Sequence, residues 1–443
     1  MTYIDRPRFS CLLGGVLATA SALPRTVPIV HGSPGCGVNL STCYSQGGYL
    51  GVGYCGGQTL PSSNIAEREI IFGGEERLKR QIETTLEVLD GDLYIVATAC
   101  QTDIIGDDAP SIVAGFQDQG DFVFVEAGGF KGDSYQGYAR LMEALFKRYI
   151  PAKAPQKKRV NLLGLVPGFD PFFRADLEEL KRLLTNLGLE VTAFLTGDED
   201  LSHIQKAGST ELNIVFSPTH GLTLGQSLQE KYDLAFEFQE LPIGEKATAA
   251  FLTAIAERTQ VPKSQLKAVL KKESERYYQY VDRIADVWAD GDFQCHAVVV
   301  GNATSTGPLT YFLDQEIGWL VDLAYITDQV TEEEEESLRN LFDRRDYAYQ
   351  PQLHFETSTN AIQTHLLKSQ PQFLAGDYLE KLDPLFVLGS TLEAKLAETL
   401  GGNLLAVSYP ILNRAVLTAG YAGYNGGLRL WEDLTGAQVA KRL

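Results

Sequence analysis

Five of the chain's six cysteines fall within the first hundred residues: Cys11, Cys36, Cys43, Cys55 and Cys100. Three of them sit in "HGSPGCGVNLSTCYSQGGYLGVGYCGG", residues 31–57, among glycines and without one Asp, Glu, Lys or Arg. Such thiols can stay buried, react or hold a metal. Buried structural use is the commonest fate of a cysteine. A mononuclear zinc site lacks its CxxC pair here, and His31 is the one histidine in the region. Cys36 with His31 makes the pair of a Cys–His nucleophile, but nothing supplies a third group to orient the imidazole. An iron–sulfur cluster needs thiolates converging from separate loops, with small residues leaving room for inorganic sulfide. The glycine-rich surroundings suit that last chemistry best.

The elements that would position these thiols follow from hydrophobic periodicity. "TVPIVHG" is a short apolar strand ending just before Cys36, and "DLYIVATAC" is another ending at Cys100. Strand, turn, helix and strand recur in "RVNLLGLVPGF", "ADLEELKRLLTNLG" and "LEVTAFLTG". They recur again in "LNIVFSP", "GLTLGQSLQEKY" and "LAFEFQELPIG", and then from "HAVVVGN" and "LVDLAYITD" to "LFVLGS" and "NLLAVSYP". Strands alternating with helices predict an α/β chain of three Rossmann-like domains, with parallel sheets flanked by helices. The expected divisions are 1–155, 156–290 and 291–443, with "PAKAPQKKR" as the first linker and a helical insert from about Glu245 to Asp290. In such folds ligands sit beyond the carboxyl ends of the strands, where Cys36 and Cys100 fall. "GNATSTG" reads as a turn closing a β–α junction, because no G-x-G-x-x-G or P-loop follows a strand.

Composition narrows the function classes. A formal net charge of −19 argues against nucleic acid and against an anionic membrane surface. No apolar run approaches the roughly 20 residues needed to span a bilayer. Residues 11–30 are only mildly apolar and lack the basic start of a secretory signal. The expectation is a cytoplasmic protein, where disulfides are rare and clustered cysteines mean metal or redox chemistry. In "IGDD", Asp107 and Asp108 are expected to cap the helix beginning at "APSIV". "TEEEEESLRN" is expected to open a solvated helix.

"VPIVHGSPGCG", "EREIIFGGEERL" and "VATACQTDIIGDD", in this order and spacing, resemble the nitrogenase component 1 superfamily. "NLLGLVPGF", "LPIGEKATAAFLTAIAERTQVP" and "VSYPILNRAVLTAGYAGYNGG" extend the resemblance over nearly the whole chain. It implies a nitrogenase-like oxidoreductase whose paired α-type and β-type subunits share an iron–sulfur cluster at their interface. The cluster is P-cluster-like, with either eight or four irons. Carried over residue by residue, the ligands implied are Cys11, Cys36 and Cys100, with Gly35, Gly37, Gly73 and Gly74 giving the backbone room beside them. His31 is a candidate to hydrogen-bond near the cluster.

Ser217 follows "LNIVF" where α-type chains carry the cysteine that anchors their active-site cofactor, and the C-terminal stretch lacks the histidine for its other end. The resemblance is therefore to a β-type subunit. It implies an α2β2 heterotetramer with an α-type partner, served by an ATP-dependent iron protein reductase. It also leaves open a scaffold for cofactor assembly, and nitrogenase or methylthio-alkane reductase chemistry. Cys43, Cys55 and Ser134 are further candidate ligands. In the β-type of molybdenum nitrogenase a serine stands near the cluster; the aligned position here is Gly129, with Ser134 following in "EAGGFKGDS".

Overall fold

Short apolar runs closed by glycine or a polar turn become strands buried on both faces. In β2 (Leu93–Thr98), β4 (Arg159–Leu163) and β11 (Leu385–Gly389) every residue is buried. Such strands belong inside parallel sheets covered by helices. The computed structural model describes residues 4–48, 60–149, 156–289, 293–369 and 385–442. Its strands form three separate sheets, each parallel throughout.

The first sheet is β1 (Thr26–His31), β2 and β3 (Phe122–Val125), in that order. The second adds β5 (Glu190–Thr192), β6 (Leu212–Val215) and β7 (Phe236–Phe238) to β4, in the order β5-β4-β6-β7. The third holds β8 (His296–Gly301), β9 (Leu320–Ile326), β10 (Gln352–Phe355), β11 and β12 (Asn403–Ala406), in the order β10-β9-β8-β11-β12. That is the doubly wound arrangement, in which the strand order reverses beside the first strand. The fold is thus the expected α/β one with three Rossmann-like units. The proposed divisions at 155 and 290 fall at stretches, 150–155 and 290–292, outside the described residues.

The helical insert is present as Gly244–Arg258, Lys263–Val281 and Ala285–Ala289. The last helix, Gly423–Arg442, packs back on the first two of these and on Phe173–Asn186. The acidic run opens the helix Glu332–Asp343, where the Thr331 hydroxyl accepts the Glu334 N–H as an N-cap.

One element escapes the sequence pattern. Leu12–Ala22, read above only as mildly apolar, is a helix buried from Leu12 through Ala20. It is apolar all round, so it shows no amphipathic stripe, and its place is the protein interior. It crosses the helix Ser134–Tyr149 at very close range. A Cβ on Gly15 would stand 1.8 Å from the Ser134 carbonyl oxygen, and one on Gly137 would stand 2.2 Å from that of Leu12. Only glycine permits backbones to approach this closely.

Where the sheets meet, several carboxyls are buried. Asp170 accepts from the Asn302 amide at 2.6 Å, linking the second sheet's loops to the β8 turn. Asp176 Oδ1 accepts the Tyr421 and Ala422 N–H groups at 2.6 and 2.8 Å. Burial pushes the Asp176 and Asp328 carboxyls up to about 7. A carboxyl raised in the folded state contributes stability that is complete at acid pH and is lost as pH rises through the folded value. Asp176→Asn keeps an oxygen that accepts both N–H groups but cannot ionise. We expect it to recover on the order of 2 kcal/mol of stability at about pH 8 relative to about pH 5. Thermal unfolding at the two pH values checks this; identical pH dependence in variant and wild type would refute it.

Candidate functional site

The three carried-over cysteines come from different parts of the first unit. Cys11 is the residue before the helix Leu12–Ala22. Cys36 lies in the tight turn Pro34–Gly37 beyond β1. Cys100 opens the helix Cys100–Ile105 just beyond β2. The two parallel strands end side by side, His31 opposite Thr98, so their following turns share one edge of the sheet. Cys11 reaches that edge by a different route. Its backbone bridges Asp133, the Leu12 N–H donates to the Gly132 carbonyl at 2.9 Å, and the Ser134 N–H donates to the Ser10 carbonyl at 2.9 Å.

The loop after β3 then places Gly129 between two sulfurs. A Cβ at Gly129 would lie 3.3 Å from both Cys11 Sγ and Cys100 Sγ, so the thiols are separated by no more than twice that distance. The Gly129 N–H donates to Cys100 Sγ at 3.1 Å. Cys36 is tied in by two amides. Asn39 Nδ2 donates to the Cys36 carbonyl at 3.1 Å and to Cys11 Sγ at 3.7 Å. Cys36 Sγ contacts Ser33 Oγ at 3.4 Å and Gln101 Oε1 at 4.0 Å, beside Cys100.

All three thiols are half-exposed. Among the described residues, no three His, Cys, Asp or Glu side chains come together closely enough to hold a metal ion. The three thiols alone therefore do not make a closed mononuclear site. What the geometry offers is an open, glycine-lined thiol face with N–H donors directed at sulfur, which fits a bulky sulfide-containing group completed from outside the chain. Val38, Ile71, Phe72, Ile104 and Phe130, in the same turns and helices or in elements that touch them, are exposed, beside the ion pairs of Lys131 with Asp103 and Glu126.

The remaining candidates lie elsewhere or serve other ends. Cys43 is buried, its thiol 3.6 Å from the Pro167 carbonyl, and burial pushes it far above the usual thiol range. It is held protonated inside the core. Cys55 lies outside the described residues. Ser134 is fully buried, and its hydroxyl accepts the Ser10 N–H at 3.2 Å, bracing the segment that leads into Cys11. Cys295 is buried far along the chain, in contact with the Gln438 amide.

The acidic pair divides its work, which corrects the expectation that both cap a helix. Asp108 does so, accepting the Ser111 N–H. Asp107 faces the other way and accepts from His31 Nε2 at 2.9 Å and from the Gly74 N–H at 2.9 and 3.1 Å. The Ser63 hydroxyl meets His31 Nδ1 at 2.9 Å. Burial lowers the His31 pKa against the pull of Asp107, so the imidazole is a neutral brace behind the Cys36 turn. Gly74 serves this brace: its Cβ would strike Asp107 Oδ2 at 2.6 Å, whereas one at Gly35 would meet open space. Asn39, Gln101 and Ser33 were not singled out from the sequence. Each stands within three residues of a cysteine, which was the available signal.

With this geometry in hand, comparison with known proteins decides the family. The model of the nitrogenase component 1 type oxidoreductases matches residues 11–438. The chain belongs to that family. Similar curated proteins include a nitrogenase molybdenum-iron protein beta chain from Sinorhizobium fredii, 26% identical over 195 residues, which cover 43% of this chain and 37% of that one. Another is the nitrogenase iron-molybdenum cofactor biosynthesis protein NifE of Methanosarcina barkeri, 25% identical over 297 residues, 62% of this chain and 61% of the relative. These matches span less than two thirds of the relatives' length. The solved structure "Nitrogenase Cp1 at pH 6.5" shares the fold, with a TM-score of 0.77 at 18% identity, over 100% of this chain and 94% of that one. Among the described residues, no helix of this family member is long and apolar enough to cross a membrane.

Exposure and burial sort the thiols by reactivity. In the metal-free native chain, iodoacetamide should label Cys11, Cys36 and Cys100, while Cys43 and Cys295 react at least about tenfold more slowly, since the reactive form is an accessible thiolate. Peptide mass spectrometry after a timed quench checks this. Equal labelling of Cys43 and Cys36 would contradict the arrangement.

Proposed function

We propose that this chain is the β-type subunit of a nitrogenase-like reductase, in which Cys11, Cys36 and Cys100 bind one half of an iron–sulfur cluster shared with an α-type subunit. The observation that carries the reading is the convergence of three half-exposed thiols, from three separate segments, on one face bordered by exposed apolar side chains. Exposed apolar side chains grouped near a site are a common mark of a protein–protein interface. When bound, such a cluster supplies one-electron chemistry at low potential. The chain's own contribution is to hold three thiolates in place, to aim the Gly129 N–H at Cys100 Sγ and to brace the Cys36 turn from behind through His31 and Asp107. The complex would carry electrons from an ATP-dependent iron protein toward a cofactor held by the α-type partner, with nitrogenase or methylthio-alkane reductase chemistry there.

The β-type assignment is supported by what stands beyond β6. Ser217 is fully buried, its hydroxyl 3.0 Å from His220 Nδ1, while His220 Nε2 donates to the Gly164 carbonyl at 3.0 Å. Burial pulls His220 down to about 4, so it is a neutral hydrogen-bonding side chain. The cavity where the loops of the three sheets meet, lined by Tyr135, Asp170, Asn302 and Ser408, measures about 40 Å³. It has room for a few waters, and a larger open cleft of about 470 Å³, lined by Tyr135, Thr219, His220 and Asp328, lies beside it.

A scaffold for cofactor assembly is the second reading, favoured by the likeness to NifE. The two separate on turnover. Anaerobic purification with the α-type partner, followed by iron and sulfide counting and EPR, tests the cluster. Cys36→Ala and Cys100→Ala should each reduce interfacial iron at least about tenfold, since even outer-shell losses weaken metal sites by that much, with the complex still assembled. Unchanged iron in both variants would sink the assignment. ATP-dependent electron consumption with the iron protein would then favour the reductase over the scaffold.

A further inference from the structure

Asn39 is the second residue of the helix Val38–Gln46, three positions beyond Cys36. Its carboxamide has two N–H donors and one acceptor oxygen. Nδ2 donates to the Cys36 carbonyl at 3.1 Å and to Cys11 Sγ at 3.7 Å, and Oδ1 accepts from the Ser10 hydroxyl at 3.3 Å. The orientation is unambiguous, because a backbone carbonyl can only accept and so must face the nitrogen. All of these partners belong to the two cysteine-bearing segments, although Cys11 and Cys36 lie 25 positions apart in sequence. The helices that follow the two cysteines are also joined by the Tyr44 hydroxyl, which donates to the Ala18 carbonyl at 2.8 Å, but that bond lies further along both helices. Asn39 is the tie at the sulfurs themselves.

We propose that Asn39 is a positioning residue for the cluster: it clamps the Cys11 and Cys36 segments together and donates a hydrogen bond to the Cys11 sulfur that raises the cluster's reduction potential. This rests on the iron–sulfur reading above. A hydrogen bond to a ligating thiolate offsets negative charge, and the reduced cluster carries more of it, so donation favours reduction. Asn39→Leu removes the donor without adding charge. Asn39→Asp has nearly the same shape, cannot donate when ionised and adds a negative charge. The two variants should therefore shift the potential downward in a fixed order, the aspartate further than the leucine. A residue that merely supported the fold would give no such order.

Two measurements test this. In the anaerobically purified complex with the α-type partner, an EPR-monitored redox titration should place wild type highest, Asn39→Leu lower and Asn39→Asp lowest, at equal iron content. Identical potentials at equal iron content would overturn the proposal. The second measurement needs no cluster and uses the full chain carrying Cys100→Ala, with or without Asn39→Leu. Dibromobimane, which fluoresces strongly once it bridges two neighbouring thiols, should link Cys11 to Cys36 several-fold faster when Asn39 is present. Equal rates would overturn the clamp even where the Asn39 variants fail to load iron. A wild-type complex without iron would overturn the cluster reading and the potential effect with it, and the bridging rates would still decide the clamp on their own.

Discussion

The close crossing of Leu12–Ala22 with Ser134–Tyr149, through Gly15 and Gly137, is the constraint on which the thiol face depends. Cys11 immediately precedes the first helix, and the loop carrying Gly129 immediately precedes the second. Drawing the two helices together at backbone contact brings those two N-terminal approaches side by side, where the Cys11–Asp133 bridge and the reciprocal bonds of Ser10 and Ser134 lock them. A methyl group at either glycine would overlap the other helix's carbonyl and push the approaches apart. A helix buried on every side cannot yield by moving into solvent, so the strain would reach the cysteine.

The other two thiols depend on a different device, the paired ends of β1 and β2. Parallel neighbours in register finish at one edge, so Cys36 and Cys100 share it, and the Gln101 amide joins their turns by donating to the Ser33 hydroxyl at 3.4 Å. Behind that edge, His31, Asp107, Ser63 and Gly74 form a satisfied polar group in the core, which fixes the turn in a way apolar packing alone would not. The N-terminal segment is anchored at its far side by Arg8, fully buried in a bidentate pair with Glu393 and bonded to Ser390. Thus the first unit's Cys11-bearing segment is held by the third sheet's loops. Breaking that pair would strand a charge in the interior.

Around the thiols, exposed Val38, Ile104 and Phe130 stand beside the ion pairs of Lys131 with Asp103 and Glu126. Part of the net charge of −19 is carried far along the chain, on the run from Glu332 to Glu336. Leaving exposed apolar side chains such as Val38, Ile104 and Phe130 in water has a standing hydrophobic cost. Cys43 shows the contrast within the same helix that carries Asn39. It points inward, is packed against Gly168 and is kept protonated by burial, so cysteine clustering in sequence does not translate into a cluster of ligands.

The sequence by itself determined the α/β class, most strands and the helical insert, because alternating periodicity and glycine-rich turns are local signals; the choice of Cys11, Cys36 and Cys100 is what the family resemblance implies. It missed the helix Leu12–Ala22, whose uniform apolarity carries no period, and it misassigned Asp107, whose partners His31 and Gly74 lie 76 and 33 positions away. Only the tertiary structure decided which thiols share a face, that Cys43 is excluded from it, and that Gly129 and Asn39 are the residues standing against sulfur. Those outcomes depend on which backbones cross and which strand ends meet. Such contacts are set by packing between segments distant in the chain, and no local pattern encodes them.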